Sequence, residues 1–317
     1  MKFSIVIPTY NEEKDIAHTL DSLVALTWND YEVLVVDDST DSTPEIVARY
    51  APKGVKLIRP EKREGRCGAR NLGILSATGD VVVILNADVH LPQDFLTRLA
   101  HWYTEGYDYV LVRSEVENMQ DVFARYVECM GIVDHYRVNP EWMEWTEGFS
   151  CRRELAIRAG LFPVGYPVPI CAGEDGIFGT ALRATGAKKK IDFHILVTHV
   201  SPSTLEEYWH IRSGRGRGSP QVKRFIKKWS YPKIVLWSTL RVARTIFQVT
   251  LLAPMLRITW RAAKTSPQGL KDWAPFCYAW LIEQAAFHIG EWTSIAEVWE
   301  AERRNGKTQS RQAHHRP

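Results

Sequence analysis

The sequence is poor in cysteine. It has five, Cys67, Cys129, Cys151, Cys171 and Cys277, an odd number, widely scattered and without a C-x-x-C pair. That pattern argues for reduced thiols in a cytosolic setting. No glycine-rich loop follows the first apolar run, which ends in Pro8-Thr9-Tyr10-Asn11. Sugar nucleotidyltransferases need such a loop there. Dinucleotide oxidoreductases fail on the same count, because the GRGRG of Gly214 to Gly218 follows a helical pattern and not a strand. The N-terminus turns acidic after Pro8 with no small-residue cleavage site, so it reads as a first strand and not a signal peptide. There is no internal repeat, and no low-complexity tract beyond a polar tail from Arg303. What is present is globular: 317 residues, 45% hydrophobic and 24% charged, enough for one large α/β domain with an appended region.

The net charge of +3 conceals an asymmetry. Residues 1–202 carry 21 Lys+Arg against 29 Asp+Glu, residues 203–265 carry 13 against 2, and the remainder is balanced at 6 against 6. A basic block therefore follows an acidic domain. It could face ligand phosphates, an anionic membrane surface or nucleic acid.

The first ninety residues alternate strand-like runs (Phe3 to Ile7, Glu32 to Val36, Val55 to Ile58, Val81 to Leu85) with amphipathic segments (Glu12 to Leu26 behind a capping Asn11, Thr43 to Tyr50, Gly65 to Ala77). This rhythm predicts a mostly parallel sheet with right-handed crossovers, in which ligands bind at the carboxyl ends of the strands. Asp37-Asp38-Ser39-Thr40 follows the second run and Asn86-Ala87-Asp88 the fourth. Two acidic turns at one sheet edge can hold a ribose or base and a diphosphate-bound Mg²⁺ or Mn²⁺, although an Asp after a strand can also simply cap the next helix. Further on, Pro92 to Tyr103, Asp121 to Tyr136 and Ile177 to Ala184 read as helices, and Tyr109 to Arg113 and Ile191 to Val200 as strands.

Several motifs in order resemble glycosyltransferase family 2, whose members have the GT-A fold. IVIPTYNEE (Ile5 to Glu13) resembles the opening strand and turn, and VVDDSTDST (Val35 to Thr43) the segment whose second acid binds base or ribose. GARNLGILSATGD (Gly68 to Asp80) resembles the helix before the metal strand, and ILNADV (Ile84 to Val89) sits at the D-x-D position. GFSCRRELAIRAGLFP (Gly148 to Pro163) resembles the acceptor-side segment and GEDGIFG (Gly173 to Gly179) the E-D motif. The resemblance implies an inverting, metal-assisted transfer from a nucleotide sugar. Nucleotide contacts would come from Pro8, Tyr10, Glu12, Asp38, Arg70, Asn86 and Ala87, metal ligation from Asp88 with His199, and the general base would be Asp175 with Glu174 beside it. One departure stands out: the first acid of D-x-D is Asn86, which can hydrogen-bond but brings no charge. Alternatives stay open at this level. Glu174-Asp175 would also suit a helix N-terminus, and His199 an ordinary hydrogen bond. Arg212, Arg215 and Arg217, in RSGRGRG, read as a flexible basic loop for a diphosphate or acceptor phosphate, or as a solvated linker. Gln221 to Phe225 is a weak match to the Q-x-x-R-W motif of processive synthases.

From Tyr231 the chain becomes apolar and aromatic, and eight of the twelve tryptophans lie between Trp209 and Trp299. Ile234 to Leu252 is helical in pattern with Ser238, Arg241, Thr245 and Gln248 on one face, and Met255 to Lys264 aligns Arg257, Arg261 and Lys264. Such helices suit an anionic membrane surface, or packing on the catalytic domain or a second copy in a homo-oligomer. The expected organisation is thus a GT-A domain over 1–218, divided into a nucleotide half (1–90) and an acceptor half (91–218), then a basic, aromatic helical region (219–302) and the tail (303–317). The expected activity is sugar transfer from a UDP- or GDP-sugar to a lipid-linked or polysaccharide acceptor at the cytoplasmic membrane face. A polyprenyl-phosphate sugar synthase is the rival, and a membrane- or RNA-binding module the non-enzymatic one. With intact Asp38, Asp88 and Asp175, no nucleic-acid partner is expected.

Overall fold

The computed structural model describes residues 1–133, 141 and 143–314, with side chains to 305. In chain order the elements are β1 (Phe3–Thr9), α1 (Ile16–Val24), β2 (Tyr31–Asp37), α2 (Thr43–Ala48), β3 (Val55–Ile58), α3 (Gly65–Ser76), β4 (Val81–Ile84) and β5 (Val89–His90). Then come α4 (Phe95–Thr104), β6 (Tyr109–Val116), α5 (Val122–Gly131), β7 (Phe149–Arg152), α6 (Arg153–Arg158), α7 (Glu174–Ala184), β8 (Lys189–His199), α8 (Leu205–Gln221), α9 (Tyr231–Leu251), α10 (Ala253–Ala263) and α11 (Trp273–His314). Two compact units emerge, each continuous in space but not in sequence. One comprises Met1–Glu117, His135–Pro163 and Asp175–Ser201; the other comprises Asn118–Asp134, Val164–Glu174 and Pro202–Pro317.

The first unit is built on one sheet in the order β3-β2-β1-β4-β7-β6-β8-β5. Its first four strands are parallel, as the rhythm of the sequence predicts, whereas β7 runs against both β4 and β6 and β5 runs against β8. The strand runs are predominantly apolar, and β4 is apolar and buried at every position because both its faces are covered. Along β4, Val81 and Val83 enter one core with Phe3, Ile5 and Ile7, while Val82 and Ile84 enter the opposite core with Phe149, Phe162 and Phe178. Each such side chain contributes roughly 1.5–3 kcal/mol when fully buried. Gly73 lets α3 lie against β1, since a Cβ there would come within 2.2 Å of a Val6 methyl.

Asn11 does not cap α1, which Asp15 precedes. It stands at φ 58°, a left-handed conformation that Asn tolerates, and its Oδ1 accepts from Thr40 N at 2.9 Å while its own N donates to Ser39 Oγ at 2.7 Å. The turn after β1 is thereby tied to the turn after β2.

The second unit is helical, with a core of Phe123, Tyr126, Tyr208, Phe276 and Trp280. The expected flexible loop at RSGRGRG is instead the interior of α8, and the expected boundary at 218 falls inside this helix. The glycines account for it. A Cβ on Gly216 would meet Phe287 O at 2.1 Å, and one on Gly290 would meet Ser213 O at 2.0 Å, so α8 and α11 cross backbone to backbone where only glycine fits. The helix starts with a capping box in which Thr204 Oγ1 accepts from Glu207 N. The polar tail expected from Arg303 is likewise helical, continuing α11 to His314.

Helix α9 is turned opposite to the usual sense. Its polar stripe faces inward: Ser238 is fully buried, and Thr245 Oγ1 lies 2.9 Å from His288 Nε2. Its apolar stripe, Leu236, Leu240, Phe247 and Leu251, spaced to share one helical face, is more than half exposed at every position. No helix among the described residues is long and apolar enough to cross a membrane.

Candidate active site

The carboxyl ends of β1, β2 and β4 collect the polar residues of the first unit. Asp37 is fully buried and structural: it accepts from Thr9 Oγ1 at 2.7 Å and from Ser39 Oγ at 2.5 Å, and pairs with Arg59. Asp38 is the acid turned toward solvent. Arg63 donates from Nε to its Oδ2 at 2.7 Å, and the same guanidinium lies 4.9 Å from the ring centre of the exposed Tyr10. Pro8 pairs in register with Val36. Tyr10 and Arg63 thus place an aromatic ring and a guanidinium beside the Asp38 carboxylate.

Past β4, Asn86 is held on both sides. Its Oδ1 accepts from Arg70 Nη2 at 3.2 Å, and its Nδ2 donates to Glu147 Oε2 at 3.0 Å. Arg70 is 2% exposed, with its guanidinium 5.2 Å from the Trp145 ring and 5.1 Å from that of Phe162. Ala87 O accepts from Thr19 Oγ1 at 2.5 Å, fastening the turn to α1. Glu147 is the residue that sequence reasoning missed. It lies 61 positions from Asn86, just before β7, and brings back a carboxylate at the place where Asn86 removed one.

The electrostatics single out Asp88. Burial, then the charges of Glu147, Glu12 and Asp15, push its carboxyl up to about 8. Burial together with Asp15 and Asp41 pushes Glu12 up to about 7, against the opposing charge of Arg66. Carboxylates that repel one another in a dry setting hold protons near neutral pH. A group poised in this way releases its proton readily to a cation, which makes Asp88 the candidate ligand of a hard divalent ion, with Glu12 and Glu147 as charges acting on it. His199 ends β8 opposite Val89 in the β5–β8 register, and Val200 N donates to Asp88 O at 3.2 Å, so the strand pairing carries His199 to the neighbourhood of Asp88. Its Nε2 lies 3.5 Å from Ser201 Oγ.

Asp175 lies in the first turn of α7, half-buried, with its Oδ1 accepting from Gly176 N at 2.7 Å. Glu174, which opens the helix, is 2% exposed. In the second unit the arginines of α8 are engaged: Arg212 Nη1 lies 3.2 Å from Glu283 Oε1, Arg217 Nη2 lies 2.7 Å from Glu297 Oε2, and Arg215 shares their helix. Gln221 Oε1 accepts from Cys171 N at 2.9 Å.

The model of a family described as glycosyl transferase family 2 matches residues 4–168, just over half of the chain. The chain belongs to this family. Among curated members, a dolichol-phosphate mannosyltransferase of Pyrococcus furiosus is 36% identical over 181 residues, covering 53% of this chain and 51% of that protein. A poly(ribitol-phosphate) beta-N-acetylglucosaminyltransferase of Staphylococcus aureus is 37% identical over 117 residues, covering 35% of this chain and 20% of that one. The chain thus spans about half or less of the length of these curated relatives. Among solved structures, the S. aureus TarS complex with UDP-GlcNAc has a TM-score of 0.54 at 17% identity, covering 92% of this chain and 90% of that chain. A mannosyltransferase of Pyrobaculum calidifontis, solved with GDP-Man and Mn²⁺, has a TM-score of 0.53 at 22% identity, covering 96% and 86%. The mixed sheet flanked by helices is therefore the GT-A fold of family 2.

Proposed function

We propose that this family 2 enzyme transfers a sugar, with inversion at the anomeric carbon, from a UDP- or GDP-sugar to a hydroxyl of a lipid-linked or polysaccharide acceptor at the cytoplasmic face of a membrane. The observation that carries the donor half is the buried Asp88 after β4, whose carboxyl is pushed up to about 8 by burial and by the charges of Glu147 and Glu12. Asp88 would be the main ligand of Mg²⁺ or Mn²⁺, with Glu12, Glu147 and His199 around it. When bound, the ion supplies Lewis-acid neutralisation of the leaving diphosphate. Asp38 takes the ribose or base, with Tyr10 and Arg63 as the stacking surface, and the Arg70–Asn86–Glu147 chain keeps the turn after β4 rigid. The complexes of the two structural relatives, one with UDP-GlcNAc and one with GDP-Man and Mn²⁺, support a nucleotide-sugar donor and a divalent ion.

On the acceptor side, Asp175 is the general base. The N-terminus of α7 favours its ionised form, which a base needs before it accepts the hydroxyl proton. Asp175→Asn keeps the size and removes the basicity, so transfer should fall by about 10²–10⁴ while donor affinity is retained. The test is transfer rate and donor binding for this variant beside wild type, with the product's anomeric configuration read by NMR. A retained configuration would exclude the inverting displacement.

A second reading has its own support in the 181-residue alignment with a dolichol-phosphate mannosyltransferase, where the acceptor would be a polyprenyl phosphate. A phosphate needs no general base, so full activity of Asp175→Asn would select this reading. Either acceptor suits a lipid surface. The outward apolar stripe of α9 and a groove of about 540 Å³ lined by Arg257, Ile258 and Arg261 are the parts that would meet anionic headgroups and acyl chains.

A further inference from the structure

A set of ligating groups outside the proposed donor site converges in the first unit. Helix α1 presents His18, β5 presents His90, and Glu117 follows the last residue of β6. One ligand atom from each lies within 4.8 Å of the others. Strand β8 organises them. His90 is in register with Thr198, Glu117 N donates to His199 O at 2.9 Å, and Thr198 Oγ1 is 3.4 Å from Glu117 Oε2. The Thr19 Oγ1 bond to Ala87 O at 2.5 Å then fixes α1 against the start of β5, which brings the His18 and His90 rings to a centroid distance of 3.8 Å at 43°. His90 Nδ1 and Glu117 Oε2 are 2.6 Å apart.

Two imidazoles this close repel when both are protonated, and a single carboxylate offsets only one of them. Two neutral imidazoles and a carboxylate are a known donor set for zinc with a fourth position open to water. Around a tetrahedral ion with bonds of about 2.0–2.1 Å the ligand atoms stand about 3.3 Å apart, so spacings of up to 4.8 Å would close by about 1.5 Å or less while His90 Nδ1 and Glu117 Oε2 would open by about 0.7 Å. His18 and Glu117 are exposed, and side-chain rotation alone can supply that movement. The chemistry also separates this cluster from the donor site. A donor set led by carboxylates favours Mg²⁺ or Mn²⁺, whereas one with two imidazole nitrogens favours Zn²⁺ and its later first-row neighbours.

We propose that His18, His90 and Glu117 form a second metal site, for Zn²⁺ or a like first-row ion, that cross-links α1, β5 and the end of β6. Because its ligands leave Asp88 out, it stands or falls separately from the donor reading. The experiment is equilibrium dialysis of the full chain against Zn²⁺, with Co²⁺ absorption as a spectroscopic reporter of nitrogen ligation. Wild type, Asp88→Asn, His18→Gln, His90→Ala and Glu117→Gln are compared. Asp88→Asn should keep the Co²⁺ nitrogen-ligation band of wild type, losing at most the equivalent that belongs to the donor site. His18→Gln and His90→Ala should each lose one equivalent, or weaken it by at least about tenfold, and lose that band. His18 is a surface residue, so His18→Gln separates ligand loss from misfolding. Retention of the equivalent and the band in both His variants would overturn the proposal, as would loss of that band in Asp88→Asn alone.

Discussion

The helical unit pairs acid with cation, whereas the sheet unit does so at Asp37–Arg59 and Glu32–Lys56 but also crowds like charges at one edge. The helical unit matches acid with cation along its helices: Arg125 with Asp272, Arg212 with Glu283, Lys223 with Glu291, Arg217 with Glu297 and Arg224 with Glu302. In the sheet unit Asp88, Glu12 and Glu147 stand together with like charges as the dominant neighbours of Asp88. Paired charge specifies how helices pack. Like charge crowded at a sheet edge is a cost to the fold, which on the proposed function a cation and a diphosphate would offset.

The sharpest way to break this contrast is Asp88→Asn. Transfer should drop by on the order of 10³-fold and Mn²⁺-dependent nucleotide binding should vanish, as it should with a chelator. The same variant should be more stable than wild type at pH 8 without metal, because one repelling charge is gone. Nucleotide binding indifferent to both treatments would remove the metal site.

The reverse case is Asp272→Ala, which strands the guanidinium of Arg125, 7% exposed, without its carboxylate. Loss of one partner of a buried pair costs about 3–5 kcal/mol, to be read from urea denaturation, with donor affinity unchanged. An equally large effect on donor binding would mean that the paired network serves the site as well as the fold.

The pH dependence has a defined sign. Asp88 and Glu12, raised to about 8 and about 7, hold protons more tightly folded than unfolded. Their contribution to metal-free stability is complete below the ordinary carboxylate range and is lost as pH rises through 7 and 8. Thermal melts should show wild type losing ground to Asp88→Asn across that window, and saturating Mn²⁺ should reverse the trend. Parallel pH profiles for the two proteins would contradict the raised values. The smallest effect belongs to α9. Leu240→Ser with Phe247→Ser should change stability by no more than about 0.5 kcal/mol per site yet reduce flotation with anionic vesicles. Unchanged flotation would leave the outward stripe for protein contacts.

The sequence was legible where local pattern and burial agree. The first four strands and the acids after two of them follow from apolar runs that must be covered on both faces. Strand β7 is four residues long and gives way directly to α6, which is too little period to read. Helix α8 was hidden because glycine and arginine suggest a mobile loop; only its fit against α11 explains why glycine is tolerated there. The capping role expected of Asn11 failed because the side chain has a better acceptor task across the turn. Glu147 was invisible for a different reason. Nothing in its own neighbourhood marks it, and the pairing of β4 with β7 is what delivers it to Asn86.

The crossing of α8 and α11 has a consequence for how this protein can vary. Gly216 faces the Phe287 carbonyl and Gly290 faces that of Ser213, each three residues from the position that the other helix contacts. The joint is therefore made of main chain, the one part of a protein that substitution does not alter, and Cα–H to carbonyl contacts can form there whatever surrounds them. The flanking side chains are free to drift among homologues without loosening the crossing, while an alanine at either glycine would push two backbones apart.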